Sequence, residues 1–304
     1  MRITRLLLLL STLVPAIAAR AQSIDVASPA ASASAPLATL RLEPYRRGVA
    51  VRVTANGKPG LFSLDTAGGH TVVSPEFAAA GGCTPWGHLG GFNMVGTRLD
   101  MQRCDAFRFE ADGHPLVAPV AGVMQVASLM AKDAKPIEGL LALDVFDGRT
   151  ITIDFAGGHL YVESPASAAL RILGARELPI RLSREAQGLA LAVNLEVPTS
   201  KGTLRFELDS GNGGTLLVSK SYATLFGLDP AAEGPQPARI PLADGIAAEG
   251  LAFTPEMNID GNLGMPFLKD WIVTLDLGAG RMWLRHSDVP PPPGMGVPPP
   301  APKP

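Results

Sequence analysis

Between residues 40 and 288, apolar and polar positions alternate in short runs with a period of two, the signature of half-buried β-strands. Residues 49–54 alternate in this way, Asn56-Gly57 supplies a tight turn, and the apolar run 61–64 stops at Asp65. The succession then returns. Residues 189–197 alternate, Ser200-Lys201-Gly202 turns the chain, and residues 204–208 lead into Asp209. Short helices are expected after each acid, over 75–80 and 219–226, the first with Pro75 at a favourable starting position.

The repetition extends to individual residues. Phe62-Ser63-Leu64-Asp65-Thr66-Ala67-Gly68 is echoed by Phe206-Glu207-Leu208-Asp209-Ser210-Gly211-Asn212, and each acid is followed six residues later by a threonine, Thr71 or Thr215. Further on, Gly139-Leu140-Leu141-Ala142-Leu143-Asp144-Val145-Phe146 parallels Gly261-Asn262-Leu263-Gly264-Met265-Pro266-Phe267-Leu268. The strands Ile151-Thr152-Ile153-Asp154-Phe155 and Val273-Thr274-Leu275-Asp276-Leu277 follow, and a glycine turn closes each unit with Leu160-Tyr161-Val162 or Met282-Trp283-Leu284. Three matches in the same order imply two similar supersecondary units. The chain is therefore expected to be mainly β and bilobal, with an N-terminal lobe over 40–165 and a C-terminal lobe over 178–288. The first lobe carries a longer insertion, in which Gly87, Gly90, Gly91 and Gly96 surround Trp86, Phe92 and Met94.

Composition narrows the function classes. The chain has 304 residues, 46% of them apolar, and a formal net charge of −2, which suits neither a polycationic nucleic-acid binder nor a disordered acidic chain. Residues 1–21 read as a signal peptide: Arg2 and Arg5, an apolar run from Leu6, and Ala19-Arg20-Ala21 as a small-x-small cleavage site. Residues 22–39 read as a flexible leader, and 289–304 as a proline-rich tail expected to project from the body. No later stretch reads as a transmembrane helix, and the expectation is an exported protein, periplasmic or secreted, without stable membrane insertion, the alternative being that the short apolar run stays uncleaved as an anchor. Cys83 and Cys104 are the only cysteines; in an oxidising compartment they close one loop, the alternative being two free thiols.

The candidate chemistry lies in the paired acids. Alone, an aspartate after a strand is most often a turn or cap residue. Two such loops related by an approximate twofold bring their carboxyls together. Like-charge repulsion then keeps one proton on the pair, leaving a general base and a hydrogen-bond donor side by side. Thr66 and Ser210 are expected to bond across the lobes, the alternative being that each satisfies only its own turn, and Ala67, Gly68 and Gly211 are small enough to let backbone N–H groups approach the carboxylates. His70 has no serine or cysteine nucleophile in a matching arrangement. Asp144 and Asp147 read as turn residues, and Asp154 and Asp276 as structural acids of the closing hairpins. The glycine-rich runs lack a phosphate-loop lysine and dinucleotide spacing.

These features resemble the aspartic proteases, in particular bacterial retropepsin-like domains and the duplicated single-chain pepsin-like arrangement. Asp209-Ser210-Gly211 matches the family's Asp-Thr/Ser-Gly element directly, and Asp65-Thr66-Ala67 matches its acid and hydroxyl with alanine in the glycine place. Ile137-Glu138-Gly139 and Ile259-Asp260-Gly261 stand where the family has two apolar residues before glycine. The resemblance implies a bilobal acid-protease fold with catalytic Asp65 and Asp209, supported by Thr66, Ser210 and Gly211. It also implies a flap near residues 87–99 in which Phe92 and Met94 contact substrate, without the flap tyrosine of pepsin-like enzymes. The implied function is peptide-bond hydrolysis in peptides or unfolded proteins by a monomer, with no cofactor and no metal. The alternative is a catalytically degenerate peptide-binding module of the same fold.

Overall fold

The computed structural model describes residues 34–105, 107–116, 120–126 and 134–298, so residues 1–21 and most of the leader lie outside it. The first half runs through β1 (Ala38–Tyr45), β2 (Gly48–Ala55), β3 (Lys58–Leu64), β4 (Val72–Val73), α1 (Pro75–Ala80), β5 (Trp86–Phe92), β6 (Arg98–Asp105) and β7 (Phe109–Ala111). It continues with β8 (His114–Pro115), β9 (Val120–Val123), β10 (Gly139–Leu141), β11 (Thr150–Asp154), β12 (His159–Val162) and α2 (Pro165–Arg171). The second half contains β13 (Arg176–Leu178), β14 (Ile180–Ser183), β15 (Ala192–Thr199), β16 (Gly202–Leu208), β17 (Leu216–Val218), β18 (Gln236–Ala243) and β19 (Ile246–Phe253). It ends with β20 (Gly261–Leu263), α3 (Met265–Leu268), β21 (Trp271–Asp276) and β22 (Arg281–His286).

Each half builds the same crossed unit around its acid. β10 lies parallel to β3 with Phe62 opposite Gly139, and β20 lies parallel to β16 with Phe206 opposite Gly261. The second strand of each parallel pair also runs antiparallel to a short strand beyond the acid loop, β4 or β17. Glycine is required at the crossing. A Cβ on Gly139 would stand 2.8 Å from the Phe62 ring, and one on Gly261 would stand 2.5 Å from the Phe206 ring. Both phenylalanines are fully buried. The polar residue before each glycine has a matching task. Glu138 Oε2 accepts from the Leu61 N–H at 3.1 Å, and Asp260 Oδ2 accepts from the Arg205 N–H at 2.8 Å, satisfying the strand leading to each acid.

The halves join through a shared sheet. β11 and β21 pair antiparallel with Thr152 opposite Thr274, and the two buried hydroxyls are 3.0 Å apart on the approximate twofold. Asp154 and Asp276 terminate these strands and accept from turn N–H groups of Gly157 and of Gly278 and Ala279, the structural role read from sequence. An exposed bidentate pair, Arg184 with Asp147 at 2.9 and 2.6 Å, also links the halves.

Five local expectations are corrected. β1 begins at Ala38, inside the stretch read as leader, because Ala38 pairs with Val162. The tail does not simply project. Met295 is buried, and the Gly296 N–H donates to Arg47 O at 2.9 Å, since one apolar residue among the prolines finds a site on the body. The strand expected over 189–197 starts at Ala192, and the helix expected over 219–226 is the 3-10 segment Lys220–Phe226. Asp144 is more than a turn residue: it is buried, accepts from the Thr71 N–H at 2.9 Å and faces His70 Nδ1 at 3.0 Å.

The insertion of the first half forms the β5–β6 hairpin, with its turn held by Asn93 Oδ1 accepting from the Val95 and Thr97 N–H groups. Cys83 and Cys104 are joined in a disulfide, Cα–Cα 6.1 Å, at its base. Among the described residues no helix is long and apolar enough to cross a membrane.

Candidate functional site

Both acids are aimed by the crossed units. The Asp65 N–H donates to Leu141 O and the Asp209 N–H to Leu263 O, each at 3.0 Å, so the two acids leave their strands with matched geometry. Asp209 is 3% exposed, while Asp65 is half-buried and opens to the cleft.

Thr66 and Ser210 lock the loops to each other. Thr66 Oγ1 donates to Leu208 O at 2.7 Å and accepts from the Ser210 N–H at 3.0 Å. Reciprocally, Ser210 Oγ donates to Leu64 O at 2.8 Å and accepts from the Thr66 N–H at 3.0 Å. Both side chains are buried, and every donor in this four-bond ring crosses between the halves. Gly211 is the position with no room to spare: a Cβ there would stand 2.7 Å from Asp65 Oδ2. Ala67 occupies the matching place in the first half and keeps its backbone contact, its N–H donating to Asp65 Oδ1 at 3.1 Å.

The two carboxyls lie within hydrogen-bonding reach of each other, and both are pushed up. Burial, followed by the charge of Asp209, raises Asp65 to about 7. Burial also raises Asp209, opposed first by a side-chain hydrogen bond from Asn262 and then by backbone N–H groups of Asn212 and Gly211. The pair therefore holds a shared proton well above the usual carboxylate range.

Two site residues were missed by the sequence reading. Asn262, fully buried, donates from Nδ2 to Asp209 Oδ2 at 2.7 Å, and its Oδ1 accepts from Asn212 Nδ2 at 2.8 Å. Glu207 pairs with Asn262 across β16 and β20. Burial, then the charges of Asp209, Asp65 and Glu185, push its carboxyl from 4.5 up to about 8. The signal available in the sequence was the mismatch between repeats: Ser63 and Leu140 occupy the places of Glu207 and Asn262.

A cavity of about 440 Å³ opens beside Asp65, lined on one side by the Tyr45–Gly48 turn and Leu140 and on the other by residues 210–215. A larger cavity of about 510 Å³ lies near Pro198 and Phe226, has no carboxylate in its lining, and carries no candidate chemistry. The hairpin crosses to the second half, where the Asn258 N–H donates to Met94 O at 2.8 Å. Phe92, at 64% exposure, and Met94 do not line the cavity beside Asp65, so the acids and hydroxyls converge and these two residues stand apart.

No protein-family model matches the chain, and no curated protein matches it in sequence. Solved structures share its fold. Basic 7S globulin from soybean superposes with a TM-score of 0.52 at 11% identity, covering 82% of this chain and 95% of that one. Conglutin gamma from lupine seeds gives 0.51 at 10%, covering 83% and 95%. The aspartic proteinase from Irpex lacteus gives 0.50 at 10%, covering 83% and 97%. Similarity at these identities concerns the fold alone: the chain has the mainly β, bilobal acid-protease fold.

Proposed function

We propose that the protein is an exported aspartic endopeptidase of a duplicated, retropepsin-like form that hydrolyses peptides or partly unfolded proteins as a monomer. The observation that supports it is the meeting of the Asp65 and Asp209 carboxyls inside the Thr66–Ser210 lock.

The chemistry follows from one proton shared by two acids. The ionised carboxylate removes a proton from a water as the water oxygen bonds to the peptide carbonyl carbon. The protonated acid gives its proton to the carbonyl oxygen, producing a neutral gem-diol. As the gem-diol collapses, one hydroxyl returns a proton to the second acid and the C–N bond breaks. The first acid delivers its proton to the departing amine, which restores the starting state. Fixed N–H donors from Ala67 and Asn212 hold the carboxyls without reorganisation during these transfers. The disulfide between Cys83 and Cys104 fits an oxidising compartment, in line with export and with residues 1–21 acting as a signal.

A second reading, peptide capture without turnover, is favoured by Ala67, because the matching position at Gly211 has no space for a methyl group. Incubating a denatured protein with the mature chain and sequencing new chain termini between pH 3 and 9 separates the two. Turnover is expected below neutrality, with half of it lost near pH 7, where Asp65 gives up its proton. Saturable peptide binding with no new termini at any pH would replace the leading reading with the second.

A further inference from the structure

The two halves match at the acid pair in their backbone contacts and differ in one side-chain donor. Asp65 Oδ1 accepts from the Ala67 N–H at 3.1 Å and Asp209 Oδ1 from the Asn212 N–H at 2.9 Å, while the nearby N–H groups of Gly68 and Gly211 also favour the ionised form of each acid. Asp209 alone has a third donor, the Asn262 amide at 2.7 Å. The residue at the matching register in the first half is Leu140, which can donate nothing. The Asn262 amide is itself held, because its oxygen accepts from Asn212 Nδ2 and its side chain is fully buried. It cannot turn away without leaving a buried amide unpaired.

We propose that Asn262 is a positioning residue that makes Asp209 the ionised, water-activating member of the pair and Asp65 the proton-bearing member. Its catalytic consequence rests on the peptidase reading, whereas the order of ionisation is a property of the resting protein. A carboxylate with one more charge-assisted donor ionises first, and its negative charge then favours the proton on its neighbour. The other titratable groups facing Asp209 are Asp65 across the lock and Glu207 on its own strand, with Glu185 beyond Glu207. Glu207 does not favour ionisation of Asp209, and the hydrogen bond from a protonated Asp65 works in the same direction as the Asn262 amide, which is the larger of the two. Arg46 and Arg47 line the cavity that Asp65 opens to, and Arg47 packs against Gly213 of the loop that follows Asp209.

The experiment is a carboxyl-carbon NMR titration of ¹³C-aspartate-labelled mature protein, with resonances assigned from Asp65→Asn and Asp209→Asn samples. In the unaltered chain the Asp209 signal is expected to move first and the Asp65 signal near pH 7. Asn262→Leu, which copies Leu140, is expected to raise the first ionisation by about one to two pH units, the equivalent of one charge-assisted hydrogen bond. The acid limb of kcat/KM should move up by the same amount. An unchanged titration in folded Asn262→Leu, or Asp65 ionising first in the unaltered chain, overturns the proposal. Should Asn262→Leu fail to fold, Leu140→Asn provides the reciprocal test. Giving Asp65 the missing donor must lower its ionisation toward that of Asp209, and no change there also overturns the proposal. A chain that titrates in the expected order but cleaves nothing removes the peptidase reading and leaves this assignment standing. One that cleaves but titrates Asp65 first does the reverse.

Discussion

At the scale of single residues, the site depends on contacts that tolerate almost no added volume. Gly211 packs directly on the Asp65 carboxyl, so Gly211→Ala must displace either the carboxyl or the loop that carries Ser210. We expect this substitution to lower peptide turnover at least 100-fold while the melting temperature falls by only a few degrees, because a misplaced reacting group costs rate more than stability. Steady-state rates and a melting curve on one sample check both parts, and undiminished turnover would show that the Asp65 position does not matter to the chemistry. Asp65, Asp209, Thr66 and Ser210 were legible in the sequence because a local repeat carries them. Asn262 and Glu207 were not. A polar residue in an alternating strand reads as solvent-facing, and these two meet only through the parallel pairing of strands from distant parts of the chain.

At the scale of elements, the crossed units were legible as repeated strand, turn and glycine signals, and the structure adds why they repeat. Phe62 and Phe206 fill the space that the glycine opposite leaves, and Glu138 and Asp260 satisfy the strand backbone beside it. The position of the β5–β6 hairpin tip was less legible, because beyond the Asn93 turn it is tied to Asn258 of the other half, which no local pattern in the hairpin announces. The base of the hairpin is tied by the disulfide across a sequence separation of 21. Cys83→Ser/Cys104→Ser is expected to lower unfolding free energy by about 3 kcal/mol, mainly by freeing the unfolded chain. Urea unfolding of both forms measures it, and equal midpoints with equal slopes would mean the tie contributes nothing.

At the scale of the whole molecule, a buried group of acids makes stability depend on pH. Asp65 rises from 3.8 to about 7 and Glu207 from 4.5 to about 8, so the folded chain keeps protons that the unfolded chain has already released. Where the folded state binds more protons, stability falls as pH rises. These groups therefore impose no penalty below about pH 4, and their contribution to stability declines from there to about pH 8. Glu207→Gln removes its share. Its melting temperature should match the unaltered chain near pH 4 and exceed it near pH 8, and a parallel pair of melting curves across that range would contradict the assignment. The bilobal plan and the twofold were readable from the order of repeats. The docking of Met295 was hidden because a proline-rich composition describes an extended chain and not where one methionine within it lands.

The central claim is that two loops from two halves form one catalytic pair, and the most direct measurement is turnover of a denatured protein by the unaltered chain, Asp65→Asn and Asp209→Asn across pH. The expected result is clear cleavage by the unaltered chain below pH 7. Each substitution alone should reduce the rate at least 1,000-fold, since neither acid can act as both base and proton donor. Cleavage that persists in either variant at a comparable rate would contradict the account.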